Sequence, residues 1–245
     1  PDWESRLDEY RAIFTGHTRE LWCGESSTEY TKFPDYGDVS ARLHAFNPNA
    51  RLVYLMRDPV DRAVSHYWHV VRHQGETRSL LALIDSDTEI LNVSNYAMQI
   101  RQWLNHFERD QLWIGTFEEM RFQPMQTCQR LFAWLAVDSM FTPKSLSRVH
   151  NETPRSFTGP EPTLLHRVRH SALWSMVGPH VPSVFRKSAL AMVQSRIDRD
   201  APCINAQLKE ARELLRVKLA DSVAELEEVL CRDLDEWPSF NQRGN

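Results

Sequence analysis

Arg51-Leu-Val-Tyr-Leu-Met56 runs without a break into Arg57-Asp-Pro-Val-Asp-Arg-Ala-Val-Ser65-His-Tyr67, and this junction decides the fold. The first six residues are a continuous apolar run bounded by Asn47-Pro48-Asn49 and Arg57-Asp58-Pro59. Such a run reads as a strand buried on both faces, the habit of parallel sheets. Pro59 suits the first turn of a helix and Asp58 is its natural N-cap. The helix is predicted from about Val60 to His73, stopping before Gly75. A strand feeding a helix directs free backbone N–H groups and the helix dipole at one point, which is an anion site. Arg57 ends the strand, where a guanidinium forks onto phosphate. Ser65 lies two turns into the helix with a hydroxyl to add.

Outward from this junction, strand and helix alternate. Trp3, Leu7, Tyr10, Ile13 and Phe14 give Pro1–Phe14 a helical spacing. Leu21-Trp22-Cys23 reads as a short strand ending at Gly24-Glu25-Ser26-Ser27. Asn95 to Phe107 reads as an amphipathic helix carrying Tyr96, Ile100, Trp103, Leu104 and Phe107. Gln111 to Phe117 is predicted as a strand and Pro124 to Leu135 as a helix. The alternation predicts an α/β fold, a parallel central sheet flanked by helices. From about Pro143 strand signals vanish, and Lys144, Arg148, Arg155, Arg167 and Arg169 make the chain locally basic. The C-terminal part then reads as mainly helical. Leu208, Ala211, Leu215, Leu219, Ser222, Leu226 and Val229 mark one long helix packed on the domain rather than a coiled coil. The organisation predicted is a single domain over 1–245, with an α/β core over 1–142 and a helical part over 143–245.

Composition narrows the function classes. Over 245 residues, 42% hydrophobic and 25% charged content excludes disorder and collagen-like repeats. No stretch reaches the roughly 18–20 apolar residues of a membrane span. A net charge of −4 excludes a chain-wide basic field for nucleic acid. Cys23, Cys128, Cys203 and Cys231 form no CxxC pair and no zinc spacing, so they read as reduced, mostly buried thiols. His66, His69 and His73 share a helix face, but no carboxylate at matching spacing completes a metal site. No metal is expected, and the three histidines read as surface or as the wall of a cleft.

Arg-x-Pro-x-x-Arg-Ala-x-Ser-x-Tyr after a strand resembles the 3′-phosphate motif of PAPS-dependent sulfotransferases, whose donor PAPS is 3′-phosphoadenosine 5′-phosphosulfate. Further segments follow in the family's order. Gly24-Glu25-Ser26-Ser27-x-x-Tyr30 is similar to its Gly-Glu-Lys-Ser-Pro-x-Tyr segment. Asn95-Tyr96, Trp103-Leu104, Phe107, the strand QLWIGTF and Glu118-Glu119 follow its central block. Phe132-x-x-Leu135 resembles its Phe-Leu-Gly segment with the Gly lost. Asn151-x-x-Pro-Arg155 and Arg232-Asp-Leu-x-x-Trp237 resemble bacterial and heparan-type members.

The resemblance implies a P-loop-NTPase-like sulfotransferase fold and transfer of a sulfuryl group from PAPS to a hydroxyl or amine, leaving PAP. Arg57 and Ser65 would hold the 3′-phosphate, Tyr96 would lie near the nucleotide, and Arg155 would belong to a loop covering it. Glu25, placed by a short strand at the sheet's carboxyl edge, would be the general base. Burial in a partly desolvated cleft suits a carboxylate to that work. The branch favours a carbohydrate acceptor, an oligosaccharide or glycolipid as readily as a glycosaminoglycan. No nucleic acid and no membrane span are expected. The family's early Pro-Lys-x-Gly-Thr loop, which cradles the 5′-phosphosulfate, has no counterpart, and neither has Walker A. The expectation is therefore a natural protein extended N-terminally by that loop and a central strand, and a chain catalytically crippled without them. The alternatives are a non-catalytic PAP-binding or scaffold protein of the same fold and, further off, a P-loop kinase relative. Localisation is expected to be cytoplasmic if the source is bacterial and the Golgi lumen if animal.

Overall fold

The computed structural model describes residues 3–73, 76, 78–86, 88–144, 146 and 183–241. In chain order these form α1 (Leu7–Ala12), α2 (Val39–Phe46), β1 (Leu52–Met56), α3 (Pro59–His73), α4 (Leu80–Ser86), α5 (Glu89–Ser94), α6 (Tyr96–Leu104), β2 (Leu112–Thr116), α7 (Phe117–Phe122), α8 (Pro124–Trp134) and α9 (Ser183–Leu230). Short 3₁₀ turns span Glu4–Arg6, Thr28–Thr31 and Arg109–Gln111. No described helix is long and apolar enough to cross a membrane.

β1 and β2 pair in parallel, with Leu52 opposite Leu112 and Met56 opposite Thr116. Both strands end where polar residues cap the next helix. Asp58 Oδ1 accepts the N–H groups of Val60 and Asp61 to start α3. Thr116 and Glu119 form a reciprocal capping box that starts α7, so Phe117 opens a helix instead of closing the strand. Asn95 caps α6 through Met98 N. The crossover between the strands holds α3 to α6. The sequence reading missed α4 and α5 there, and α2 and α7 elsewhere, because each is short with little periodicity to read.

Two apolar clusters build the core. One joins Val60, Val64 and Trp68 of α3 to Leu83, Ile84 and Ile90. The other joins Met56 and Leu112 of the strands to Tyr96, Ile100, Trp103 and Trp237. α9 closes both: Leu208, Ala211, Leu215 and Leu219 enter the first, Val223 and Leu226 the second. One long helix packed on the domain is thus what forms. Its buried stripe runs through Val223, while Ser222 turns its hydroxyl back to Leu219 O.

Three expectations need correction. β1 is buried on one face only: Val53 is 51% and Leu55 44% exposed. Leu52, Tyr54 and Met56 face the second cluster, whereas Val53 and Leu55 belong to neither apolar cluster among the described residues. Leu21-Trp22-Cys23 is no strand: Leu21 lies in a bend and Trp22-Cys23 in irregular chain. Its anchor is the Trp22 side chain, which donates to Leu135 O at 2.7 Å and stacks on the Arg51 guanidinium; Trp134 takes that cation's other contact. Finally, Cys23 and Cys231 are exposed, and among the described cysteines only Cys128 is buried.

Candidate active site at the carboxyl end of the strands

The start of α3 does not offer the free N–H groups that the sequence suggests. Pro59 has none. Val60 and Asp61 donate to the Asp58 carboxylate, and Arg62 N donates to Asp58 O. The other Asp58 oxygen accepts Ser239 N at 2.9 Å, so this fully buried acid also ties down the C-terminal segment. An anion bound here is held by side chains.

Those side chains stand in a row. Asp61 and Ser65, four apart, share one face of α3, and Arg57, two residues before the helix, reaches that face through Asp61. The Arg57 guanidinium lies 3.3 Å from Asp61 Oδ2 and 5.3 Å from the Phe117 ring centroid. Asp61 Oδ1 accepts a second guanidinium, that of Arg212 from α9. Arg62 faces elsewhere: it donates to Ile90 O, to Ser94 Oγ and toward His66 Nδ1. Behind Arg57 sits Glu118, which is 7% exposed; its Oε1 accepts Asp58 N and its Oε2 has no hydrogen-bond partner among the described residues. Burial pushes the Glu118 carboxyl up, with the nearby Asp58 charge acting the same way.

Tyr96 meets Arg57 through the backbone: its hydroxyl accepts Arg57 N at 3.3 Å. The ring itself is buried between Tyr54 and Trp237, with centroids 5.8 Å from each. Tyr96 therefore braces the strand exit from within the core, and burial pushes its phenol up to about 12.

Glu25 is exposed rather than partly desolvated, and no strand precedes it. Two phenols hold it instead. Its Oε1 accepts Tyr10 Oη at 2.9 Å and Tyr30 Oη at 2.5 Å. Burial and the Glu25 carboxylate push both phenols up. Tyr30 sits in the 3₁₀ turn capped by Ser27 and packs, like Tyr54, against the second apolar cluster. Tyr54 meets Tyr96, and Tyr96 meets Arg57. The candidate base and the candidate phosphate residues are thus both anchored on the second cluster, through Tyr30 on one side and Tyr96 on the other.

Arg155 lies outside the described residues. His66 is half-buried on Arg62 and His69 is exposed. No group of three His, Cys, Asp or Glu among the described residues is placed to hold a metal ion. The C-terminal Arg232-Asp-Leu-x-x-Trp237 segment acts in packing: Arg232 pairs with Glu119 and Glu236, and Trp237 is fully buried. Sequence reasoning missed Tyr10, Asp61, Glu118 and Arg212 as members of the site. Asp61 sat inside the quoted motif at the right spacing. Tyr10 and Arg212 arrive from distant elements, and no local pattern announces them.

Residues 40–155 match a family model described as the sulfotransferase domain, a span that contains Arg57, Ser65 and Tyr96 and leaves out Glu25. The chain is 25% identical over 132 residues to heparan sulfate glucosamine 3-O-sulfotransferase 3A1 of Mus musculus, covering 49% of this chain and 34% of that protein. It is 29% identical over 119 residues to human carbohydrate sulfotransferase 15, covering 38% of this chain and 21% of that protein. The chain thus spans about a third or less of these relatives. Among solved structures, a sulfotransferase from Alicyclobacillus acidocaldarius superposes with a TM-score of 0.62 at 25% identity, covering 94% of this chain and 73% of that one.

Proposed function

Because residues 40–155 belong to the sulfotransferase family, we propose that the protein transfers a sulfuryl group from PAPS to a hydroxyl or amine of a carbohydrate. The observation that carries the reading is the Arg57–Ser65 row at the carboxyl end of a parallel strand pair, inside the matched span. Ligands of open α/β sheets bind at that edge. The sugar acceptor rests on the names of the similar proteins, which act on heparan sulfate glucosamine and on carbohydrate.

In this reading Arg57 forks onto the 3′-phosphate and Ser65 adds a hydroxyl donor. The acceptor's lone pair attacks sulfur in line. A bond forms from the acceptor oxygen or nitrogen to sulfur, and the bond from sulfur to the 5′-phosphate oxygen breaks. Its electron pair leaves on that phosphate, giving PAP. The acceptor's proton passes to Glu25, whose Oε1 is already held by the two phenols, leaving Oε2 to face it. A carboxylate fixed in one rotamer is aimed without further entropy loss.

Calorimetric titration of PAP into the chain tests the nucleotide half. Binding near micromolar is expected, weakened roughly 10- to 100-fold in Arg57→Ala, the worth of a charge-assisted contact. A folded sample that ignores PAP overturns the proposal. Binding of PAP with no transfer of labelled sulfate to any desulfated oligosaccharide favours a non-catalytic nucleotide-binding protein of the same fold.

A further inference from the structure

We propose that Arg212 is a second arginine of the 3′-phosphate site, and that Asp61 holds the Arg57 and Arg212 guanidiniums in the place the phosphate takes. The inference rests on the sulfotransferase reading above and adds a residue from outside the matched span.

Three observations carry it. First, one carboxylate bridges two guanidiniums: Asp61 Oδ2 faces Arg57 and Oδ1 faces Arg212. Bridging two guanidiniums through separate oxygens is also what a phosphate does. Second, the three side chains are reachable. They are 28%, 32% and 39% exposed for Arg57, Asp61 and Arg212, so a ligand can enter without unpacking the core. Third, core packing places Arg212. Its neighbours Ala211 and Leu215 are fully buried in the first cluster, and they fix the rotation of α9 against α3.

Charge decides why a second cation is needed. Arg57 alone faces Asp61, with Asp58 and Glu118 behind it. Asp58 spends its oxygens on backbone N–H groups, and Asp61 offsets the charge of the Arg57 guanidinium. A dianionic phosphate gains little from a neutral pair. Arg212 makes the trio net positive, and the backbone N–H groups of α3 are already taken. When phosphate enters, the two guanidiniums turn from Asp61 onto it.

PAP titrations of wild type, Arg57→Ala, Arg212→Ala, Asp61→Asn and the Asp61→Asn/Arg212→Ala double variant test this, with circular dichroism confirming each fold. Arg212→Ala is expected to weaken PAP roughly tenfold or more. Asp61→Asn, which removes the competing charge, is expected to tighten it. The double variant is expected to bind more weakly than Asp61→Asn alone, because the Arg212 contact to phosphate is lost; an Arg212 that only offsets the Asp61 charge would leave the two alike. Three outcomes overturn the inference while the sulfotransferase reading stands: Arg212→Ala binding PAP as wild type does while Arg57→Ala fails, Asp61→Asn binding more weakly, or the double variant binding PAP as tightly as Asp61→Asn. A folded wild type that binds no PAP overturns both.

Discussion

Glu118 shows what one side chain does at this edge. Its carboxylate is buried, one oxygen has no partner among the described residues, and the Asp58 charge is close. A carboxyl whose pKa is raised by folding contributes stability below its unfolded pKa, about 4.3, and loses it as pH rises through the folded value. At neutral pH the ionised group is a cost. Glu118→Gln keeps an acceptor for Asp58 N and removes the charge. It should stabilise the chain at pH 7 by about 1 kcal/mol, and thermal melts should show that advantage fading toward pH 4. Residues of this kind were only half legible. Arg57, Ser65 and Asp58 stand in one local motif whose spacing fixes their roles. Glu118 was visible as one of an acidic pair after a strand, but its burial was not, since burial depends on what folds over it.

At the scale of elements, the β1–α3 turn was the most legible part of the molecule, because an apolar run, a capping Asp and a Pro at the first helical position all act within a few residues. Its function there was misread for a related reason. A cap that satisfies a helix also consumes the N–H groups an anion would use. Asp58→Ala should remove the cap and leave Ser239 N without its acceptor. The expected loss is about 1–3 kcal/mol in urea unfolding, from a cap worth about 0.5–2 kcal/mol and a half-buried donor left unpaired at the low end of about 1–3 kcal/mol. Asp58→Asn, itself a good cap, should lose less. Leu21-Trp22-Cys23 illustrates the opposite failure. Three apolar residues suggest a strand, yet an indole seated on Arg51 and Leu135 O anchors the segment by its side chain. Glu25 consequently takes its position from Tyr10 and Tyr30 and not from a sheet edge.

Across the whole molecule, α9 is the common wall of both clusters. The sequence showed its stripe and its packing on the domain, but not which helices it would meet or that Arg212 would reach Asp61. Such pairings between residues 151 positions apart follow from the assembled core. Leu215 serves one cluster and Leu226 the other, and both are buried to within 1%. Leu215→Ala and Leu226→Ala should each cost about 2–5 kcal/mol. Because one rigid helix joins the clusters, both variants should melt in a single transition, with far-UV and near-UV dichroism coinciding. Two separated transitions would show the clusters to be independent.

The same helix has a bearing on synthesis. Chains emerge from the ribosome N-terminus first, at roughly 5–20 residues per second. Every other helix of the first cluster and both strands are made before residue 208 appears, and their apolar faces wait for it. For several seconds the nascent chain therefore exposes Val60, Val64, Trp68, Met56 and Ile100 without their final cover. α9 closes these faces late, and until then the chain is a client for a chaperone that binds apolar segments.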